Sequence, residues 1–278
     1  SPVGALLLFG RSLGRDRYRA GMSTYPFNTA LVTGASSGIG EAMVELLSAA
    51  GVRTVAVARR ADRLAELAAR CPGVEVLVAD LTTAVGVAAV VARVADSQRP
   101  IDLVVNNAGF GTSGDFHTLD PDRLEREVAL NVQALTRLAH AALKVMLPRG
   151  RGWLINVSSV ASFQPAPKLA VYAATKAYVT NLTESLHEEA KRDGVHVTAL
   201  CPGITRTEFQ SVSNADAYTG KYPAFVWMES EAVARTALHD VVRNKALSVP
   251  GWLYRVMVAM VDLLPRGVVR RLASLAQR

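Results

Sequence analysis

Cysteine is almost missing from this chain, which has Cys71 and Cys201 in 278 residues. Two thiols so far apart build neither a disulfide framework nor a Cys-based metal or redox motif, and they suit a reduced, cytoplasmic setting. The five histidines have no metal-ligand spacing, so no bound metal is expected. No apolar run approaches the ~18 residues that a membrane span requires. The Val3–Phe9 stretch is short and leads into Gly10-Arg11, where a secretory cleavage site would need small residues. Acidic residues are outnumbered, 24 against 31 basic, for a net charge of +7. The excess sits at the ends. Residues 1–28 sum to +3 (four Arg, one Asp) and residues 241–278 to +6 (six Arg, one Lys, one Asp), leaving −2 on the 212 between. With aromatics at 6% and no basic stripe interleaved with them, the charge argues against a nucleic-acid partner.

What is plentiful is apolar surface, half of all residues, enough for a packed core. From residue 29 onward, short β-branched runs alternate with longer helical stretches. The candidate strands are Ala30–Thr33, Arg53–Ala58, Val74–Ala79, Ile101–Asn106, Trp153–Ser158 and Val195–Leu200. Each is a nearly continuous apolar run, the pattern of a strand covered on both faces. Amphipathic stretches lie between them: Glu41–Ala50, Arg60–Arg70, Thr82–Ser97, Asp122–Leu147 and Val171–Arg192. This alternation predicts an α/β fold, a single Rossmann-like, doubly wound parallel sheet flanked by helices on both faces. The expected organisation is a poorly ordered extension over residues 1–25, a domain over 26–250 and a hydrophobic, basic helical extension over 251–278. Translation beginning at Met22 would make the first 21 residues an upstream segment. Within the domain, the polar stretch Thr205–Glu229 reads as a long loop, and loops of that length are usually functional.

The first strand ends in Thr33-Gly-Ala-Ser-Ser-Gly-Ile-Gly40 and runs straight into a helix. Residues without a β-carbon let the backbone approach a pyrophosphate, and the helix N-terminus stabilises its charge. A Gly-rich turn alone is a weak sign; the strand before and helix after strengthen it. At the end of the second strand, where an acidic residue would bind the ribose hydroxyls of NAD, Arg59 and Arg60 stand instead. A guanidinium suits a 2′-phosphate, which favours NADP(H); the lesser reading of Arg59 is a solvated charge at a helix start. Tyr172-Ala-Ala-Thr-Lys176 places a phenol and an ammonium on one helical face, with Ser159 thirteen residues earlier. Such a pair alone is more often structural. Combined with the turn and Ser159, it reads as an acid/base: the lysine and an oxidised nicotinamide lower the phenol pKa, and Ser159 polarises a substrate oxygen.

With these motifs in this order, residues 29–250 resemble a short-chain dehydrogenase/reductase of the Tyr-x-x-x-Lys branch. The resemblance implies a proton relay through Asn131 and adenine contacts from Asp80 and Leu81. It also implies a cofactor wall from Asn106-Asn107-Ala108-Gly109 and a nicotinamide carboxamide held by Pro202, Gly203, Ile204 and Thr207. Gly34, Ser36, Ser37, Gly38, Ile39 and Gly40 then form the phosphate turn, and Arg59 marks NADP preference. The family commonly forms homodimers or homotetramers through its long helices.

The expected function is interconversion of a carbonyl and a secondary alcohol by an NADP(H)-dependent oxidoreductase. The reading from another class is an NADP(H)-binding redox sensor without turnover, against which the complete set Asn131, Ser159, Tyr172 and Lys176 argues. Phe209, Tyr218, Tyr222, Phe225 and Trp227 either line a pocket for a hydrophobic substrate or pack the loop. The tail from Trp252 through Arg266, Arg270, Arg271 and Arg278 either packs on protein or makes a peripheral membrane contact.

Overall fold

The computed structural model describes residues 25–214 and 223–275. The expectations for residues 1–24, Tyr218, Tyr222 and Arg278 lie outside the described residues. Six strands appear where the apolar runs stand: β1 (Thr29–Thr33), β2 (Arg53–Ala58), β3 (Val74–Val78), β4 (Leu103–Asn106), β5 (Gly152–Val157) and β6 (Val195–Leu200). β7 (Thr205–Arg206) pairs with β8 (Met228–Glu229), and β9 (Leu247–Ser248) joins the main sheet in the order β3-β2-β1-β4-β5-β6-β9. All the ladders are parallel.

The sheet is covered on both faces, and alternate strand residues go to alternate cores. Ala30, Val32, Leu103, Val105 and Ile155 pack on α1 (Gly38–Ala49), α2 (Ala61–Arg70) and the later helix Ser230–Val242. Leu31, Val55, Val57, Val104 and Leu154 face α3 (Ala84–Ala95) and a helix over Leu135–Met146. β3 departs from the expectation. It is an edge strand, and Val76 and Val78 are exposed. With no strand beyond it among the described residues, coverage ends here, and Glu75, paired with Arg93 and Arg99, keeps the edge charged.

The stretch expected as one helix from Asp122 to Leu147 is three pieces. α4 (Pro121–Val128) starts on an Asp120 cap, whose carboxylate accepts from the Asp122 N–H at 3.1 Å. A π-helical turn over Ala129–Ala134 follows, then α5 (Leu135–Met146). α6 spans Ala170–Ala190 unbroken. The expected loop after β6 contains β7, a short α7 (Phe209–Val212) and β8. α8 (Ser230–Val242) returns the chain to the sheet, and α9 (Trp252–Leu263) and α10 (Arg266–Leu275) end it, broken at Pro265. No helix among the described residues is long and apolar enough to cross a membrane.

Candidate active site

β1 lies between β2 and β4, so the connections from its neighbourhood diverge and leave a crevice beyond the strand ends. The Gly-rich turn fills one wall. Gly34 has φ +67°, and a β-carbon on Gly40 would come within 2.4 Å of the Gly34 carbonyl oxygen, so neither position tolerates a side chain. Thr33 Oγ1 accepts from the Asn107 and Ala108 N–H groups, each at 3.0 Å, and Asn107 Nδ2 donates to Thr33 O at 2.9 Å. These bonds tie the turn to the end of β4. The Ser37 side chain makes no cap bond at the start of α1, which leaves the helix N-terminus to an anionic ligand.

Beside the turn, Asp80 Oδ1 accepts from the Thr82 N–H (2.9 Å) and hydroxyl (2.8 Å). Burial pushes this carboxyl up, but those bonds and the charge of Arg59 outweigh it and leave the pKa below its ordinary value. Leu81 is buried. Of the two arginines, Arg60 is the one laid over the turn. Its Nε and Nη2 donate to Ser36 Oγ at 3.2 and 3.1 Å, and its Nη1 pairs with Glu208 at 2.9 Å. The sequence reading names Arg59 for this corner, whereas the bonds to Ser36 and Glu208 are made by Arg60. Glu208 carried no sequence signal. It sits next to Thr207, whose methyl lies 2.8 Å from where a Gly38 β-carbon would be.

The acid/base candidates converge on the other side. Tyr172, Lys176 and Ser159 are all buried, on α6 and at the end of β5. Lys176 Nζ donates to Val157 O at 2.8 Å and lies 5.7 Å from the Tyr172 ring centroid. Ser159 caps the turn Val160–Phe163 by accepting from the Ala161 N–H at 3.1 Å, and its hydroxyl faces the phenol. Asn131, in the π-helical turn, exchanges bonds with the Phe110 backbone (3.2 and 2.8 Å) and donates to Thr175 Oγ1 at 3.1 Å. A β-carbon on Gly109 would lie 2.9 Å from Asn131 Oδ1 and 3.4 Å from Lys176 Nζ. Gly109 is therefore the gap across which asparagine and lysine approach. π-Turns are rare and concentrate at functional sites.

Burial governs both members of the Tyr172–Lys176 pair. Burial pushes the phenol up to about 12, with Ser159 opposing and Glu127 and Cys201 adding to the rise. Burial likewise takes Lys176 down to about 8. Desolvation disfavours the charged form of each.

The segment after β6 closes the crevice. The Val160 N–H donates to Pro202 O at 3.0 Å, and the Ile204 N–H donates to the Tyr254 hydroxyl at 3.0 Å, joining α9 to the site. The Phe209 ring packs on Tyr172, centroids 5.2 Å apart. Trp227 lies under Arg206, and Phe225 is exposed. Among the described loop aromatics, Phe209 is the one at the acid/base. Among the described residues, no group of three His, Cys, Asp or Glu could hold a metal ion.

Comparison with known proteins agrees with this geometry. A family model for short chain dehydrogenases matches residues 28–217. An uncharacterised oxidoreductase of Staphylococcus epidermidis is 34% identical over 212 residues, covering 71% of this chain and 92% of the relative. One from Myxococcus xanthus is 32% identical over 249 residues, 88% of this chain and 95% of the relative. A short-chain dehydrogenase from Sphingobium yanoikuyae, solved in complex with NADPH, has a TM-score of 0.77 at 35% identity, covering 88% of this chain and 95% of that one. The bulky-bulky ketone specific alcohol dehydrogenase of Comamonas testosteroni has a TM-score of 0.71 at 30% identity, over 86% and 95%. The chain belongs to the short-chain dehydrogenase/reductase family, oxidoreductases built on a nucleotide-binding Rossmann-type fold.

Proposed function

We propose that the protein interconverts a carbonyl and a secondary alcohol using NADP(H). The observation that carries this reading is the approach of Lys176 and Asn131 across Gly109, with the lysine Nζ 5.7 Å from the Tyr172 ring centroid and Ser159 beside the phenol. The turn's geometry fits a dinucleotide, since its positive-φ glycines and the crowded Gly40 make a surface for backbone-to-phosphate contact. Gly34 to Gly40 hold the pyrophosphate, Asp80 and Leu81 the adenine, and Asn107, Ala108, Gly109, Pro202, Gly203, Ile204 and Thr207 the nicotinamide half. Arg59 and Arg60 at the end of β2, with no carboxylate there, favour a 2′-phosphate.

When bound, the nicotinamide supplies or accepts the hydride. In reduction, Ser159 hydrogen-bonds the carbonyl oxygen and Tyr172 gives it the phenolic proton; in oxidation the proton returns to Tyr172. Lys176 holds positive charge beside the phenol, and Asn131 secures the wall through which the proton is replaced. A sensor without turnover has no use for this aligned set. Phe209 against Tyr172 favours an apolar substrate. The test is NADPH absorbance with a panel of acyl, steroid and small aromatic ketones and their alcohols. Loss or gain of NADPH with at least one pair is expected; none with any pair counts against the reading.

We further infer a homodimer or homotetramer, and a peripheral contact of α9 and α10 with an anionic membrane. α9 turns Tyr254 and Val258 inward and leaves Trp252, Val256, Met260 and Leu263 exposed, and Arg266, Arg270 and Arg271 are exposed beside them on α10. That combination suits an interfacial helix.

A further inference from the structure

Helix α9 lies beyond the residues that the family model matches, yet it sends one side chain into the site. Gly251, with φ +81°, turns the chain out of Pro250 and into the helix, a conformation that suits glycine. In the first turn Tyr254 is buried, whereas Trp252 is exposed. A β-carbon on Gly203 would come within 2.1 Å of the Tyr254 ring. The ring therefore has its seat because position 203 carries no side chain. A phenol buried this way needs partners for its hydroxyl.

Those partners stand at the two ends of the segment that leaves β6 and returns to α8. The Tyr254 hydroxyl accepts from the Ile204 N–H at 3.0 Å and donates to Val226 O at 2.6 Å. Beside it, the Met228 N–H donates to Ile204 O at 2.9 Å, and β7 pairs with β8 over two residues. So short a parallel pair is a weak fastening by itself. What hangs from this neck reaches the acid/base. Gln210 Nε2 donates to Thr205 O at 2.8 Å, and Thr207 Oγ1 accepts from the Phe209 N–H at 3.1 Å. The Phe209 ring then packs on Tyr172. Ser213 fastens the far end of α7, accepting from the Gly111 and Ser113 N–H groups, each at 3.0 Å. Tyr254 fastens the near end.

We propose that Tyr254 is a positioning residue for the substrate: its hydroxyl clasps both ends of the segment that carries Phe209, and so holds that ring over Tyr172, where the apolar side of a ketone rests. The inference rests on the carbonyl-reductase reading given above. Ile204 is the point on which the clasp acts. Once its N–H is released from the phenol, its peptide can shift, and β7, Thr207 and Phe209 follow through the bonds just described. Tyr254 touches no reacting atom. Its effect is on how well the ketone is held, since an apolar contact to the substrate is kept alike before and during the reaction.

Tyr254→Phe removes both bonds and keeps the ring against Gly203. Hydrogen exchange followed by NMR should show the Met228 and Phe209 amides exchanging about tenfold faster, the change that one ordinary hydrogen bond accounts for. Amides in β4 and β5 should not move. KM across the ketone panel should rise about fivefold, the worth of one aromatic contact, while kcat at saturation holds, the pattern of lost uniform binding. Amides that keep their rates in the folded variant, or a KM that stays in place once they have loosened, overturn the proposal. Should circular dichroism show the variant unfolded, the unaltered protein carries the test. In mild urea its Ile204 and Met228 amides should open together with that of Val258 in α9, as one cooperative unit. A neck that stays closed after α9 has opened overturns the proposal as well. If the unaltered protein reduces no ketone but the amides of the variant still loosen, the carbonyl-reductase reading fails and the clasp on the segment stands.

Discussion

At Tyr172, burial and hydrogen bonding pull the phenol in opposite directions, and burial prevails. A neutral phenol at physiological pH is in the right form to give its proton to a reduced carbonyl. Tyr172→Phe should therefore lower turnover by about 10²–10⁴, the usual worth of a general acid, while NADPH titration by fluorescence stays near that of the unaltered protein. Near-full activity in the variant would remove Tyr172 from the role. The two arginines make a separate expectation. A charge-assisted bond to a 2′-phosphate is worth on the order of 1.5–3 kcal/mol, so Arg59→Ala and Arg60→Ala should each weaken NADP(H) by tenfold or more and NAD(H) much less. Equal binding of NADP(H) and NAD(H) by the unaltered protein would end the idea. Tyr172 and Lys176 were legible because a helical i, i+4 pair survives any tertiary context. Tyr254 and Glu208 were not, since their meaning comes from contacts between segments far apart in the chain.

Among the elements, β9 is held by a buried carboxylate of the preceding helix. It is two residues long, and Asp240 of α8, buried, accepts from Ser248 Oγ at 2.8 Å and pairs with Lys245 at 2.7 Å. Burial raises the Asp240 carboxyl, but Lys245 and Ser248 outweigh it and leave the pKa below 3.8. A depressed carboxylate contributes stability that is complete above its unfolded pKa and lost as pH falls through the folded one. Asp240→Asn should cost about 1–3 kcal/mol in urea denaturation near neutrality, and the gap between variant and parent should narrow in acid below the ordinary carboxylate range. A gap that is constant with pH would assign the loss to packing. The six longer strands were readable as apolar runs, but β9 was too short to carry a pattern. The π-turn at Ala129–Ala134 was hidden because neither Pro nor Gly marks it, and the helical period continues through it. β3 reads as apolar like its neighbours; its place at the edge is a matter of strand order, which periodicity does not record.

Across the whole molecule, an open groove of about 710 Å³ runs along α4, lined by Leu124, Val128 and Val171 of α6 together with the charged Asp122, Glu125 and Arg126. It lies on the helices through which the proposed dimer would form. Light scattering at micromolar concentration should give a dimer or tetramer; a monomer would refute it. Co-sedimentation with anionic vesicles at low salt should fall when the chain stops at Pro250, and absence of pelleting in both forms would leave the tail a structural element. The two thiols give the fold another use. Cys201 has no exposure at the end of β6, and burial pushes it up to about 11; Cys71 is buried at the end of α2. An alkylating reagent can reach either one after the surrounding structure has opened, so its rate counts openings. Fraying of α2 should release Cys71 early. Cys201 should react at the rate of global unfolding, rising with urea along the full denaturation slope and slowing when NADPH is added, because a ligand of the native state makes opening rarer. Mass spectrometry of the labelled chain would then weigh cofactor against cofactor before any substrate is known.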